Sequence, residues 1–145
     1  MTNLYDLNLD RSPANFVPMS PVSFVERSAE VFGDRMAVVH GARRYTWART
    51  RERAARLAAA LRSLGVARNT TVSTMLSNTP EMIEAHYAVP SLNAVIHTLN
   101  TRLDPALIAI QLNHCECRVL ITYREFAPII SRALEILKQI GRAHV

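Results

Sequence analysis

Glycine is scarce in this chain of 145 residues: there are four, and the closest pair, Gly33 and Gly41, stands eight positions apart. A loop that cradles phosphate needs glycines close together, so that successive backbone N–H groups can approach the anion. That spacing excludes a dinucleotide fingerprint and a P-loop. Cysteine is nearly absent too. Cys115 and Cys117 are too close to bridge each other comfortably and too few for a disulfide framework, which agrees with a reducing compartment. Lysine occurs once, as Lys138, although 17 basic residues face 12 acidic ones. The resulting +5 charge is carried by Arg in an Ala-rich, Lys-poor chain. That bias reads as translation of GC-rich DNA at least as much as selection for a basic surface, so nucleic acid is not expected as a partner. Long hydrophobic runs are missing, because Arg, Glu, Asn or His interrupts every one before the roughly 18 to 20 residues a membrane helix needs. No transmembrane segment is expected. Met1 to Asp10 holds Asp6 and Asp10 and no basic cluster leading into an apolar stretch, so it lacks the layout of a secretory signal. The expected location is the cytoplasm.

What is present is globular in character: 49% hydrophobic, 20% charged, with a mean hydropathy of +0.04. Residues 1–19 hold Asn3, Asn8, Ser12, Pro13, Asn15 and Pro18 with little periodicity and read as an extended leader. Ser20-Pro21 then supplies a cap and a first-turn proline for a helix bearing Phe24, Val25, Ala29 and Phe32, stopped at Gly33-Asp34. Met36 to His40 and Arg44 to Trp47 read as a hairpin around Gly41-Ala42. After Thr46, the stripe Ala54, Leu57, Ala58, Leu61 and Leu64 predicts a helix closed by Gly65 in a left-handed conformation. Thr71 to Leu76 is a strand, and Asn78-Thr79-Pro80-Glu81 caps a second helix expected to end at Pro90. Ala94 to Thr98 is a strand, Asp104-Pro105 starts another helix, Arg118 to Thr122 is a strand, and a helix runs from Phe126 through Leu137. Strand and helix alternate, which predicts an α/β fold with a largely parallel sheet and crossover helices. Val72, Met75, Val95, Ile96, Val119 and Ile121 are expected to be buried on both faces of that sheet.

Candidate chemistry is thin. His114-Cys115-Glu116-Cys117 has the look of half a metal site, but a closed zinc site needs about four ligands from two knuckles, and no second knuckle occurs. It reads instead as a helix-to-strand turn with its thiols packed as small apolar groups. His40, His86, His97 and His144 share no spacing. Arg43, Arg44, Arg49, Arg51, Arg53, Arg56 and Arg62 are the charge-dense stretch, either a surface for anionic partners or a solvated helix face. Glu81, Glu84 and His86 share a helix and are a weak acid/base candidate. No residue is designated catalytic, cofactor-binding or metal-ligating, and nothing sets an oligomeric state.

Five segments in register add a resemblance. Asn15-Phe16-Val17-Pro18-Met19-Ser20-Pro21, Ala37-Val38-Val39-His40-Gly41, Arg44-Tyr45-Thr46-Trp47-Ala48, Ser77-Asn78-Thr79-Pro80-Glu81-Met82 and Thr98-Leu99-Asn100-Thr101-Arg102-Leu103-Asp104 resemble the start of AMP-forming acyl-CoA synthetases, of the adenylate-forming superfamily. Val119 to Thr122 and Arg124-Glu125-Phe126 continue the match. It covers about residues 15 to 137, roughly the first quarter of such an enzyme, and looks closest to the medium- and long-chain fatty acyl branch. The resemblance implies part of the large N-terminal domain of the adenylate-forming fold. It implies, for the parent enzyme, a small-molecule fatty (carboxylic) acid as substrate, with ATP, Mg2+ and coenzyme A: the carboxylate attacks ATP to give an acyl-adenylate, and the coenzyme A thiol then displaces AMP.

The family's Ser/Thr/Gly-rich loop ending in Lys, its aromatic-Gly-x-Thr-Glu segment, its ribose-binding Asp and its C-terminal Lys are not among these residues. The chain by itself is therefore expected to be inactive and to bind none of those cofactors. Relatives usually carry Glu where Arg49 stands, Pro where Ser77 stands and Gly where Asn93 stands. Residues 20–139 are read as the N-terminal part of the synthetase domain. Residues 140–145, Ile-Gly-Arg-Ala-His-Val, are read as a non-native tail, because codons for them resemble a common sequencing-library adapter. The alternative reading is a stand-alone α/β binding module whose Arg-rich helix contacts anionic partners.

Overall fold

The computed structural model describes residues 7–8, 10–17 and 19–141, with side chains through residue 138. Part of the leader and residues 142–145 of the expected tail lie outside the described residues. The elements, in order, are α1 (Pro21–Phe32), β1 (Met36–His40), β2 (Arg43–Thr46), α2 (Trp47–Ser63), β3 (Thr71–Met75), α3 (Pro80–Ser91), β4 (Val95–Thr98), α4 (Pro105–His114), β5 (Cys117–Thr122), a 3-10 turn (Arg124–Phe126) and α5 (Ala127–Gly141). The antiparallel pair β1-β2 stands apart from a parallel sheet of order β4-β3-β5. This is the α/β architecture that strand-helix alternation predicts.

The helix ends follow local chemistry. At α1, Ser20 and Ser23 form a reciprocal capping box ahead of Pro21. Gly33 follows α1 with ordinary helical angles, so its role is space. A Cβ there would lie 2.7 Å from the Ala29 carbonyl, and the Gly33 carbonyl accepts the Ala48 N–H at 3.0 Å. Gly41 has φ +58 in the two-residue hairpin turn, where a positive angle at the first position suits glycine. At the start of α2 the Thr46 hydroxyl accepts the Arg49 N–H at 3.2 Å. Its far end is a complete Schellman motif: Gly65 N–H donates to Arg62 and Val66 N–H to Leu61, both at 3.0 Å, with Gly65 at φ +83. Asp104 caps α4 through the amides of Ala106 and Leu107.

Three expectations need correcting. Trp47 opens α2; it does not close β2. The second helix does not end at Pro90 but runs through it to Ser91. Pro90 stands in the last turn, which is closed by Leu92 and Asn93 donating to the Val89 and Pro90 carbonyls, and Asn93 then takes φ +55, a left-handed angle that asparagine tolerates. The cap of α3 is Thr79, not Asn78, and its hydroxyl makes no cap bond because it meets the Tyr123 hydroxyl instead.

Two apolar layers sandwich β3, the central strand. On one side, Val72 packs with Ala58, Leu61 and Val66 of α2 and its end, and with Ala88, Val89, Leu92 and Ala94 around α3. On the other, Met75 packs with Ile108, Ala109 and Leu112 of α4 and Ile130 and Ala133 of α5. Burial on both faces holds for β3 alone. Val95 on β4 is 50% exposed, and Ile96, Val119 and Ile121 are half-buried, because β4 and β5 are outer strands. No helix among the described residues is long and apolar enough to cross a membrane.

Candidate functional site

In an open parallel sheet, the loops after the strands' carboxyl ends form the usual ligand crevice. Here those loops follow Met75, Thr98 and Thr122, and they frame two recesses. One, of about 490 Å³, is lined by Leu76, Ser77, Asn78, Met82, Thr98 and Asn100, among others. Its polar lining is hydroxyl and amide. With no titratable side chain on its walls, it supports binding, not proton transfer. The second, of about 330 Å³, is lined by Arg43, Thr79, Glu81, Tyr123 and Glu125.

That second recess is the end of a charge ladder. Arg43 of β2 donates to Glu81 of α3 at 2.5 Å; Tyr123, just after β5, donates to the same carboxylate at 2.8 Å. Arg53 of α2 lies 4.0 Å from Glu81 and binds Glu84 in a two-pronged pair at 2.5 and 3.1 Å. The Arg53 guanidinium also stacks over the Tyr45 ring, 4.9 Å from its centre. Glu84 is 7% exposed, so this fork is what compensates its burial. Burial by itself would raise the Glu81 carboxyl, but hydrogen bonds from Arg43, its own backbone amide, Tyr123 and Thr79 outweigh it and lower the group to about 2. Burial, and hydrogen bonding to the Glu81 carboxylate, push the Tyr123 hydroxyl above its ordinary range despite the opposing bond to Thr79. The Glu81 carboxylate is thus fixed as an anion at neutral pH, which suits joining elements and does not suit general acid catalysis.

The sequence candidates fall apart or together as follows. Glu81 and Glu84 share the ladder, while His86 is exposed and engages the Met82 carbonyl at 2.8 Å. Five of the seven Arg residues of the stretch meet a carboxylate, mostly at the surface. Arg43, Arg51 and Arg53 pair with Glu81, Glu26 and Glu84, and Arg49 and Arg56 share Glu52. Few free cations then remain on α2 for an anionic partner. In the His-Cys stretch, His114 ends α4, Cys115 caps it, Glu116 turns at φ +50 and Cys117 opens β5. Cys117 packs against the second apolar layer, as a small apolar group. Cys115 does not: its sulfur lies near His97 and Ser73, a juxtaposition that no spacing in the sequence announces.

The donor set does not fit a triphosphate with its magnesium. No three His, Cys, Asp or Glu side chains gather among the described residues, and the glycines stand singly. No phosphate or metal step is therefore derived from these residues.

A parallel α/β sheet with its ligand crevice at the strand ends and its scaffold tied by a polar ladder defines the architectural class. Comparison with known proteins narrows it. Residues 25–144 match the model of the AMP-binding enzyme family, and the chain belongs to that family. It is 42% identical over 130 residues to a peroxisomal butyrate–CoA ligase of Arabidopsis thaliana, covering 90% of this chain and 23% of that protein. A peroxisomal trans-cinnamate:CoA ligase of Petunia hybrida is 40% identical over 129 residues, 89% of this chain and 23% of its own length. Among solved structures, an anthranilate CoA ligase in complex with anthranoyl-AMP superposes with a TM-score of 0.79 at 27% identity, over 83% of this chain and 24% of that one. A Mycobacterium tuberculosis fatty acyl CoA synthetase does so at 0.74 and 28%, over 76% and 22%. The chain thus spans about a quarter of the length of the proteins it matches. These relatives do not single out a medium- or long-chain fatty acyl branch.

Proposed function

We propose that this chain is the opening segment of an AMP-forming acid–CoA ligase, and that the whole enzyme activates a small monocarboxylic acid. The observation that carries this reading is the 42% identity with the butyrate–CoA ligase across 90% of the chain, alongside a family match over residues 25–144. In that enzyme a carboxylate becomes an acyl-adenylate at the expense of ATP, with Mg2+ at the phosphates, and coenzyme A takes the acyl group. The chemical need is a leaving group, since a carboxylate by itself is a poor acyl donor, and charge developing on the phosphates must be met by cations and amide donors. This segment contributes scaffold and part of a crevice. The larger recess has neutral polar walls, and at the second Arg43 and Glu81 bind one another.

Relatives named for butyrate, trans-cinnamate and benzoate favour a short or aromatic acid over a long fatty acid. The test is carboxylate-dependent exchange of labelled pyrophosphate into ATP by the longer protein encoded by the extended gene. With butyrate, benzoate, cinnamate and palmitate compared, the short or aromatic acids should exceed palmitate. Palmitate as the preferred acid would restore the fatty acyl reading, and no exchange with any acid would overturn the proposal.

A further inference from the structure

Ser73, His97 and Cys115 come from three elements and meet beside the sheet. Ser73 lies in β3 and is fully buried; its register partner on β4 is His97; Cys115 caps α4. Ser73 Oγ is 3.0 Å from His97 Nδ1, and Cys115 Sγ is 3.5 Å from the same nitrogen and 3.7 Å from Ser73 Oγ. Cys115 and His97 are half-buried, and His97 stands on an outer strand, so both reagent and proton have a route to water.

We propose that Cys115 is a base-assisted thiol that takes small carbon electrophiles, with His97 receiving its proton and Ser73 supplying a second donor to the sulfur. This does not depend on the ligase reading. In the resting state the thiol has acceptors in His97 Nδ1 and in the Leu112 carbonyl at 3.6 Å. When the proton passes to Nδ1, the ring N–H and the Ser73 hydroxyl both donate to the anionic sulfur. Donors around the sulfur favour the thiolate, which is the nucleophilic form of the side chain. With iodoacetamide, the sulfur forms a bond to the methylene carbon as the carbon–iodine bond breaks and iodide leaves; the proton goes from His97 to solvent. Cys117, two residues on, is the internal reference. Its thiol donates to the Val119 carbonyl at 3.3 Å, and among the described residues no imidazole contact accompanies it.

The experiment is site-resolved labelling of the 145-residue chain with iodoacetamide, read by peptide mass spectrometry. In the folded chain Cys115 should label about tenfold faster than Cys117, and the difference should vanish in concentrated urea. His97→Gln should bring Cys115 down to the Cys117 rate while the Cys117 rate stays unchanged, which reports an intact fold. Should H97Q raise the Cys117 rate, the fold has opened and Ser73→Ala decides: a drop of roughly threefold at Cys115 with Cys117 constant supports the proposal. Equal native rates, no effect of H97Q with the fold intact, or no effect of S73A overturns it.

Discussion

The two faces of the β4-β3-β5 sheet are held by different physics. The layer toward α2 and α3, with Ala58, Leu61, Ala88 and Leu92, is stitched at its rim by the Arg43–Glu81–Arg53–Glu84 ladder. The layer toward α4 and α5, with Met75, Ile108, Leu112 and Ala133, has no such rim, since the ion pairs among the described residues all lie elsewhere. Both outer surfaces keep apolar side chains in water: Leu107, Ile110 and Leu134 on α4 and α5, and Phe24, Val31, Leu64 and Ile83 on α1, the end of α2 and α3. The first helix pair adds charge pairing across α2 and α3 to its apolar contacts, and the other relies on apolar contact. Apolar surface stays outside on both. Together with the open outer edges of β4 and β5, that surface is the kind a larger domain covers.

The comparison breaks most visibly in the apolar layer. Met75→Ala, at a fully buried position, should lower stability by about 3 kcal/mol through lost burial and the cavity left behind. Chemical denaturation at low and high salt should give the same loss. Glu84→Ala should cost about 2 kcal/mol, because Arg53 is left half-buried without its carboxylate. Unlike the first loss, this one should shrink in high salt, where the freed cation is screened.

Acid sharpens the contrast further. Glu81 titrates at about 2 in the fold against an ordinary value of 4.5, so its contribution is complete above pH 4.5 and is lost as pH falls toward 2. Discounted for its partial exposure, the loss is roughly 1 kcal/mol. Thermal melts across that window should drop in wild type and drop less in Glu81→Gln. The smallest effect is a gain. Glu116 sits at φ +50 between α4 and β5, and Glu116→Gly should add about 0.5 to 1 kcal/mol, read as a higher denaturation midpoint.

Local signals made much of this fold legible. Ser20-Pro21, Asp104-Pro105 and Gly65 each mark a helix end through bonds made within a few residues, and the structure places ends there. What stayed hidden depends on contacts far along the chain. Thr79 fails to cap α3 because its hydroxyl meets Tyr123, 44 residues on. Val95 was expected inside because a β-rich pattern does not reveal whether a strand is central or at an edge. Glu81, Glu84 and the Arg residues were each visible as charges, but the Arg53–Glu84 pairing spans 31 residues and turned a candidate anion surface into an internal tie. The Ser73–His97–Cys115 cluster was invisible for the same reason: sheet register, not spacing, brings Ser73 opposite His97.

The central claim is that one face of this segment is held by packing and an ion-pair ladder while the other is held by packing alone. Native-state hydrogen exchange on the isolated 145-residue chain reads this directly, because amide protection reports local opening free energy. Amides of α2, α3 and β3 should exchange slowest, and those of α4, α5 and β5 should open at least about 1 kcal/mol more easily, with the gap closing when the remainder of the enzyme is co-expressed. Uniform protection across both faces, accompanied by a single sharp unfolding transition, would contradict the account and mark these residues as a domain complete on their own.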